Sequence, residues 1–332
     1  MITVRVAVDA MGGDRAPDEI VAGARLAQAD GIEPILFGPR EALQRLAPDL
    51  EVVHAPTVVG MHEKPADAAR EKRDSSLFLA CRAVGHGEAD VVVSAGNTGA
   101  MLAAGLLEMG RLPDVSRPAI AAPLPARLRQ ATVLIDAGAN ADARPEHLLQ
   151  FAHMGAIFAE EIIGVRNPEV ALLTIGEEPE KGNRLVRDAH KLIAVDDRLR
   201  FIGNVEGRLL LEGGADVFVC DGFTGNMALK VLEGTIKTVL ESLREEINRS
   251  RRGKIGGAMI RPAYRGMRRQ LDPDTYGGGY LVGLKGLGVV AHGNSSRKAI
   301  VSAIQLGARG VRAGVVERLS ERLRTRVGAA SP

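Results

Sequence analysis

A thirteen-residue pattern occurs twice in this chain. Residues 89–101 read ADVVVSAGNTGAM and residues 215–227 read ADVFVCDGFTGNM, identical at eight of the thirteen positions. Each copy passes from a short β-branched apolar run, through a glycine-bracketed polar turn, into an Ala/Leu/Met-rich stretch at helical spacing, which reads as strand, turn and helix. A turn at that junction aims backbone N–H groups outward at the start of a helix, where orphan donors and the helix dipole stabilise anions. The expectation is two anion-binding turns facing one crevice.

The rest of the chain repeats the alternation. After an apolar run from Ile2 to Val8 come strand candidates at 34–38, 51–54, 90–95, 119–124, 132–136, 169–175, 199–202 and 216–220, most of them separated by amphipathic helical stretches. Such alternation implies βαβ units and a mostly parallel sheet covered by helices on both faces. Ligands then bind beyond the carboxyl ends of the strands. Six polar turns follow strand candidates: Asp9 to Asp14, Ser94 to Gly99, Asp136 to Asn140, Gly176 to Asn183, Gly203 to Gly207 and Asp221 to Asn226. Any one of them is an ordinary use of turn-forming residues. Six together, with Asn recurring beside Gly, are expected to converge on one sheet edge, where amides, lysine and backbone donors suit a phosphate or a developing oxyanion.

Composition removes several classes. The 332 residues can bury a sizeable core as one large α/β domain or two smaller ones. The 43 basic and 41 acidic residues nearly cancel, so electrostatic specialisation must be local. Aromatics are 3% of the chain with no Trp, which argues against stacking platforms for single-stranded nucleic acid. Cys81 and Cys220 show no metal-like spacing, and a reduced cytoplasmic setting is the simplest reading. The stretch MITVRVAVDA has neither the length nor the cleavage site expected of a signal peptide, and no run approaches a transmembrane length. There is no P-loop, no GxSxG elbow and no HExxH among the seven histidines. Gly286 to Ala291 fits GxGxxA but enters a strand instead of opening a helix, so it is a decoy.

VAVDAMGGDRAP, SAGNTGA, RPAIAAPLP, DAGANADARPEHLLQFAHMG, IGEEPEKGN, FIGNVEG, DVFVCDGFTGNMALKVLEG and AHGNSS, in that order between Val4 and Gly310, together resemble the phosphate acyltransferase (PlsX) family of phospholipid synthesis. The resemblance implies a three-layer α/β/α Rossmann-like sandwich with a mostly parallel sheet, like isocitrate dehydrogenase and phosphate acetyltransferase, spanning residues 1–332 as one domain. It implies transfer of a fatty acyl group from acyl carrier protein to inorganic phosphate, with no cofactor or metal, in a homodimer at the cytoplasmic membrane face, the acyl phosphate passing to a glycerol-3-phosphate acyltransferase. It places Lys181 and Asn226 in the active cleft as catalytic residues. Phosphate is itself the nucleophile, so no Ser, Cys or His need be acylated. Lys181 then serves as a point charge and Asn226 as an amide donor. Asp9, Gly12, Gly13, Asn97, Thr98, Gly99 and Asn140 are expected to line the phosphate side. Glu177, Gly182, Asn183, Asn204, Asp221, Gly222 and Gly225 complete the substrate-binding set. Two alternatives stay open: a phosphate acetyltransferase acting on a coenzyme A thioester, and a non-catalytic phosphate-binding module.

Residues 225–271 read as an extended helical, basic and amphipathic segment. From Arg249 to Leu271 there are eight cations and no acid. Met259 and Ile260 are interleaved with Arg261, Arg265, Arg268 and Arg269. Such a surface suits an anionic bilayer or an acidic carrier protein. Pro262 is expected to break it into separate helices.

Overall fold

The computed structural model describes residues 3–29, 31–271 and 277–327. Its strands are β1 (Val4–Asp9), β2 (Ile32–Gly38), β3 (Glu51–His54), β4 (Val91–Ser94), β5 (Ala119–Leu124), β6 (Thr132–Ile135), β7 (Glu169–Thr174), β8 (Arg200–Glu206), β9 (Val217–Val219), β10 (Gly279–Val282) and β11 (Leu287–Val290). They form one sheet in the order β3-β2-β1-β4-β11-β10-β5-β6-β9-β7-β8. Period-2 alternation divides their side chains between two cores. Val4, Val6, Val8, Val91, Val93, Val133, Ile135, Val217 and Val219 face one layer of helices. Ala7, Val92, Leu134 and Phe218 face the other. Strands buried on both faces read as continuous apolar runs, which is why the β-branched segments were visible in the sequence.

On the first face lie α1 (Asp18–Ala27), α6 (Pro145–Phe158), α7 (Arg184–Ala194), α10 (Arg297–Arg312) and α11 (Val315–Val327). On the second lie α3 (Pro65–Glu71), α4 (Ser76–Gly85), α5 (Thr98–Glu108) and the first turns of α8 (Gly222–Asn248). A short α2 (Arg40–Leu46) joins β2 to β3. The three-layer α/β sandwich is therefore as expected.

The sheet direction is not uniform. β3, β2, β1, β4 and β11 are mutually parallel. β10 opposes β11, β5 opposes β10, and β6 opposes β5. β6, β9, β7 and β8 are then parallel again. Three reversals leave the two strand groups running in opposite senses, so the six polar turns do not share a sheet edge. The cause is local. β5 and β6 are joined by the seven residues 125–131, too few for a parallel crossover of a dozen or more.

The basic segment is helical apart from Arg249 and Ser250. α8 runs 27 residues and is followed by α9 (Arg251–Leu271), with Pro262 inside α9 and not at its end. The proline removes one backbone hydrogen bond from a solvent-exposed helix, where the freed carbonyl is open to solvent. α9 packs back along α8 through Gly253 and Gly257 beside Ile247 and through Tyr264 Oη, which donates to the Leu240 carbonyl at 3.4 Å. Beyond the sandwich this pair exposes Val231, Val239, Ile255, Met259 and Ile260. No single helix among the described residues is long and apolar enough to cross a membrane.

Candidate active site

Two buried aspartates hold the strand ends around which the site is built. Asp9, at the end of β1, accepts hydrogen bonds from Ser76 Oγ at 2.6 Å and Ser94 Oγ at 2.7 Å. Asp136, just past β6, accepts from the backbone N–H groups of Ile120, Gly138, Ala139 and Asn140 and from the Asn140 side chain, all within 3.1 Å. Burial pushes both carboxyl groups up, and these donors oppose it. Each aspartate neighbours one copy of the repeated turn, since β1 pairs with β4 and β6 pairs with β9. The aspartates are spacers for backbone. Gly12 abuts Asp9 and the Gly96 amide, while Gly225 lies over the Asp136 carbonyl.

The two turns do different work. In the first, Asn97 caps α5 by accepting from Ala100 N at 3.0 Å, and its amide donates to the carbonyls of Met61 and Glu63. That amide is satisfied by protein, so the anion-facing donors of this turn are the backbone of Thr98 and Gly99 at the helix start. In the second turn Asp221 caps α8, accepting from Thr224 N and Thr224 Oγ1, both at 2.8 Å, and Gly222 N donates to the Asn140 carbonyl at 2.7 Å. A carboxylate and a neighbouring carbonyl thus occupy the start of α8. It is not the second anion cradle the sequence implied.

What the second turn contributes is Asn226, one turn further along α8. It sits against Gly138, makes no hydrogen bond to another described residue, and lines a cavity of about 390 Å³. The floor of that cavity is the alternate face of β5, with Ile120, Ala122 and Leu124. Its roof is the stripe Asn226, Leu229, Lys230, Glu233 and Ile236 of α8, at helical i, i+3, i+4, i+7, i+10 spacing. Asn97, Thr98 and Gly99 close one side, and Val290 to Gly293, following β11, close another. The wall shared with an open groove between α8 and α9 carries Lys230, Glu233 and His292. A slot floored by the apolar face of β5, with a helix start, an amide and a lysine in its walls, can hold an acyl chain and an oxyanion together.

Of the residues expected from sequence, Asn97, Thr98, Gly99 and Asn226 line this cavity. Asp9, Gly12, Gly13, Asn140, Gly222 and Gly225 stand behind it and shape the turns. The remainder lie to the side, around the ends of β7 and β8. Lys181 is exposed there, with its side chain along Gly176, and lines neither the cavity nor the groove. Its turn is held by Asn204, whose amide donates to the Glu178 carbonyl at 2.7 Å. Gly182 takes φ +95°, Asn183 caps α7, and Glu177 pairs with Arg208. Asp221 and Asn183 border a separate hollow with Phe223 and Thr224. In the basic segment Arg261 lines the α8–α9 groove, and Arg265, Met259 and Ile260 are exposed. The side chains of Arg268 and Arg269 lie outside the described residues. Cys220 is buried and its thiol is pushed well up by burial, which suits packing and not nucleophilic attack.

Asp136, Lys230, Glu233 and His292 were not anticipated. Lys230 and Glu233 stand four and seven residues after Asn226 in the chain, and His292 follows the run 286–291. The signal available was their phase on α8 with Asn226.

A family model described as "Fatty acid synthesis protein" matches residues 4–318. A phosphate acyltransferase from Heliobacterium modesticaldum is 44% identical over 332 aligned residues, covering 96% of this chain and 98% of that relative. One from Gloeobacter violaceus is 45% identical, covering 97% of each. Among solved structures, a phosphotransacetylase from Streptococcus pyogenes superimposes with a TM-score of 0.60 at 18% identity, covering 95% of this chain and 94% of that one. That likeness shows the fold, a sheet with helices on both faces. The family match and the identity across nearly the whole length place this chain in the fatty acid synthesis protein family, beside the phosphate acyltransferases.

Proposed function

We propose that the chain is a phosphate acyltransferase that moves a fatty acyl group from acyl carrier protein to inorganic phosphate, releasing acyl phosphate for a glycerol-3-phosphate acyltransferase. The observation that carries this reading is the cavity over β5. Its floor is the apolar face of β5, Leu229 and Ile236 add apolar surface from α8, and the same walls carry Asn226 and Lys230 with Thr98 and Gly99 at one side. Each methylene drawn out of water contributes about 0.8 kcal/mol, so such a slot favours a fatty chain over the two-carbon group of an acetyltransferase. Asn226 donates to the thioester oxyanion, and the start of α5 holds phosphate. Palmitoyl-carrier protein incubated with phosphate, with hydroxylamine added to trap the product, is expected to give a hydroxamate only when phosphate is present. Product from acetyl-coenzyme A alone would favour the acetyltransferase, and no product from either carrier would leave a phosphate-binding module.

The role of Lys181 rests on the resemblance alone. Lys181→Met is expected to lower turnover; unchanged turnover would remove Lys181 from the reaction.

The α8–α9 pair is the surface for the bilayer. Met259 and Ile260 are exposed beside Arg261 and Arg265, and basic residues near an anionic surface contribute about 1 kcal/mol each. The enzyme works as a homodimer on the cytoplasmic face. Reversing the charge of Arg261, Arg265 and Arg268 together is expected to release the protein from vesicles containing phosphatidylserine. Unchanged co-sedimentation would sink this assignment.

A further inference from the structure

Lys230, Glu233 and His292 form a ring of close contacts in the wall between the cavity and the α8–α9 groove. Lys230 Nζ donates to Glu233 Oε2 at 3.0 Å, Lys230 Nζ meets His292 Nδ1 at 3.4 Å, and His292 Nε2 meets Glu233 Oε1 at 3.2 Å. A lysine ammonium carries donors only, so Nδ1, which faces it, is the accepting nitrogen of the imidazole and Nε2 bears the hydrogen. A carboxylate at ion-pair distance from the far nitrogen compensates the imidazolium form of such a base.

The ring is placed for chemistry more than for stability. Exposed ion pairs contribute about 0–1 kcal/mol, and the same helix face could have been tied to β11 by apolar contacts. Instead Glu233 is 19% exposed and His292 29% exposed at the rim of an apolar cavity. Lys230 and Glu233 share the α8 stripe that begins with Asn226. His292 follows β11, whose register is continued by Ala291 N donating to the Ser94 carbonyl at 2.9 Å. Two rigid elements therefore bring the three groups to the place where phosphate and thioester would meet.

We propose that His292 relays the proton of the acyl transfer, that Lys230 holds the phosphate beside it, and that Glu233 is a positioning residue for the imidazole. This rests on the phosphate acyltransferase reading and specifies how it works. Hydrogen phosphate enters with one P–O–H proton, and the thioester leaves as a thiolate. As an unprotonated phosphate oxygen forms the new C–O bond and the C–S bond breaks, the P–O–H proton passes to His292 Nδ1 and from the imidazolium to sulfur. Acyl phosphate and free thiol are released, and no proton is drawn from solvent. Phosphate draws the Lys230 ammonium toward its own oxygens, which uncovers Nδ1.

The test compares leaving groups. With palmitoyl-carrier protein, His292→Gln is expected to lower kcat about a hundredfold, as loss of a general acid–base group does, while KM for phosphate stays within about threefold. With an aryl thioester, whose thiolate departs without a proton, the same variant is expected to recover most of the loss relative to wild type. His292→Asn repeats the measurement with a second side chain. Lys230→Met is expected to show the opposite split, a raised phosphate KM with a smaller change in kcat. Equal losses on both thioesters, or a His292 defect expressed in phosphate KM, would overturn the relay. Failure of the wild-type protein to make acyl phosphate from the carrier-bound ester would instead overturn the acyltransferase reading beneath it.

Discussion

Gly225→Ala is expected to destabilise the protein by about 3 kcal/mol, the upper end of the cost of overpacking. A Cβ at this position would lie 1.9 Å from the Asp136 carbonyl oxygen and 2.9 Å from its carbon. Both are backbone atoms, in a turn locked by the donors to the Asp136 carboxylate, so no side chain can swing aside. α8 would have to lift away from β6 by more than an ångström. The better helix propensity of alanine, worth about 1 kcal/mol in a helix interior, is too small to offset that. The same substitution later in the same helix supplies the control: Gly234 has nothing within 4 Å of its missing Cβ, and Gly234→Ala is expected to raise the urea midpoint slightly. Turnover should fall as well in Gly225→Ala. Asn226 is the next residue, and a displacement of about 1 Å costs on the order of a hundredfold in a positioned reaction. A Gly225→Ala protein that unfolds at the wild-type midpoint would mean that α8 does not approach β6 this closely.

The fold was legible where burial on both faces left continuous β-branched runs, as at 91–94 and 217–219. It was misread where direction mattered. The seven residues between β5 and β6 already excluded a parallel crossover, and counting them would have shown that the strand groups oppose one another. The short strands β10 and β11 contain glycine at 279, 286 and 288 within or beside them, which weakens any strand pattern. At the site, the repeat drew attention to the right two turns but could not say which donors were free. Asn97 and Asn226 look equivalent as letters. One amide is consumed by the carbonyls of Met61 and Glu63, and the other faces the cavity. Lys230, Glu233 and His292 escaped for the converse reason. Their meeting depends on α8 passing over β11, a tertiary fact that no local spacing encodes. Lys181 was singled out by resemblance, and its turn lies beside β7, three strands from the cavity floor on β5.

Asn226→Ala is expected to lower kcat by about 10²–10³-fold, the loss that follows removal of one oxyanion donor, while KM for phosphate changes little. The split follows from where the groups sit. In the proposed arrangement phosphate is held by the start of α5 and by Lys230, which the substitution leaves in place, whereas the Asn226 amide lies against Gly138, one turn before Lys230 on α8. A donor aimed at a carbonyl gains strength only as charge develops on that oxygen, so its removal appears in turnover and not in ground-state binding. Asn226→Asp separates donation from shape. The carboxylate has nearly the same outline but only acceptors when ionised, and would repel the oxyanion, so its turnover should be no higher than that of the alanine variant. The Gly222, Thr224 and Gly225 amides at the start of α8 cannot substitute for the lost amide, because the Asn140 carbonyl and Asp221 already take them up. If kcat and phosphate affinity fall together in Asn226→Ala, the amide contacts phosphate itself, and the thioester carbonyl must be polarised from the α5 side of the cavity.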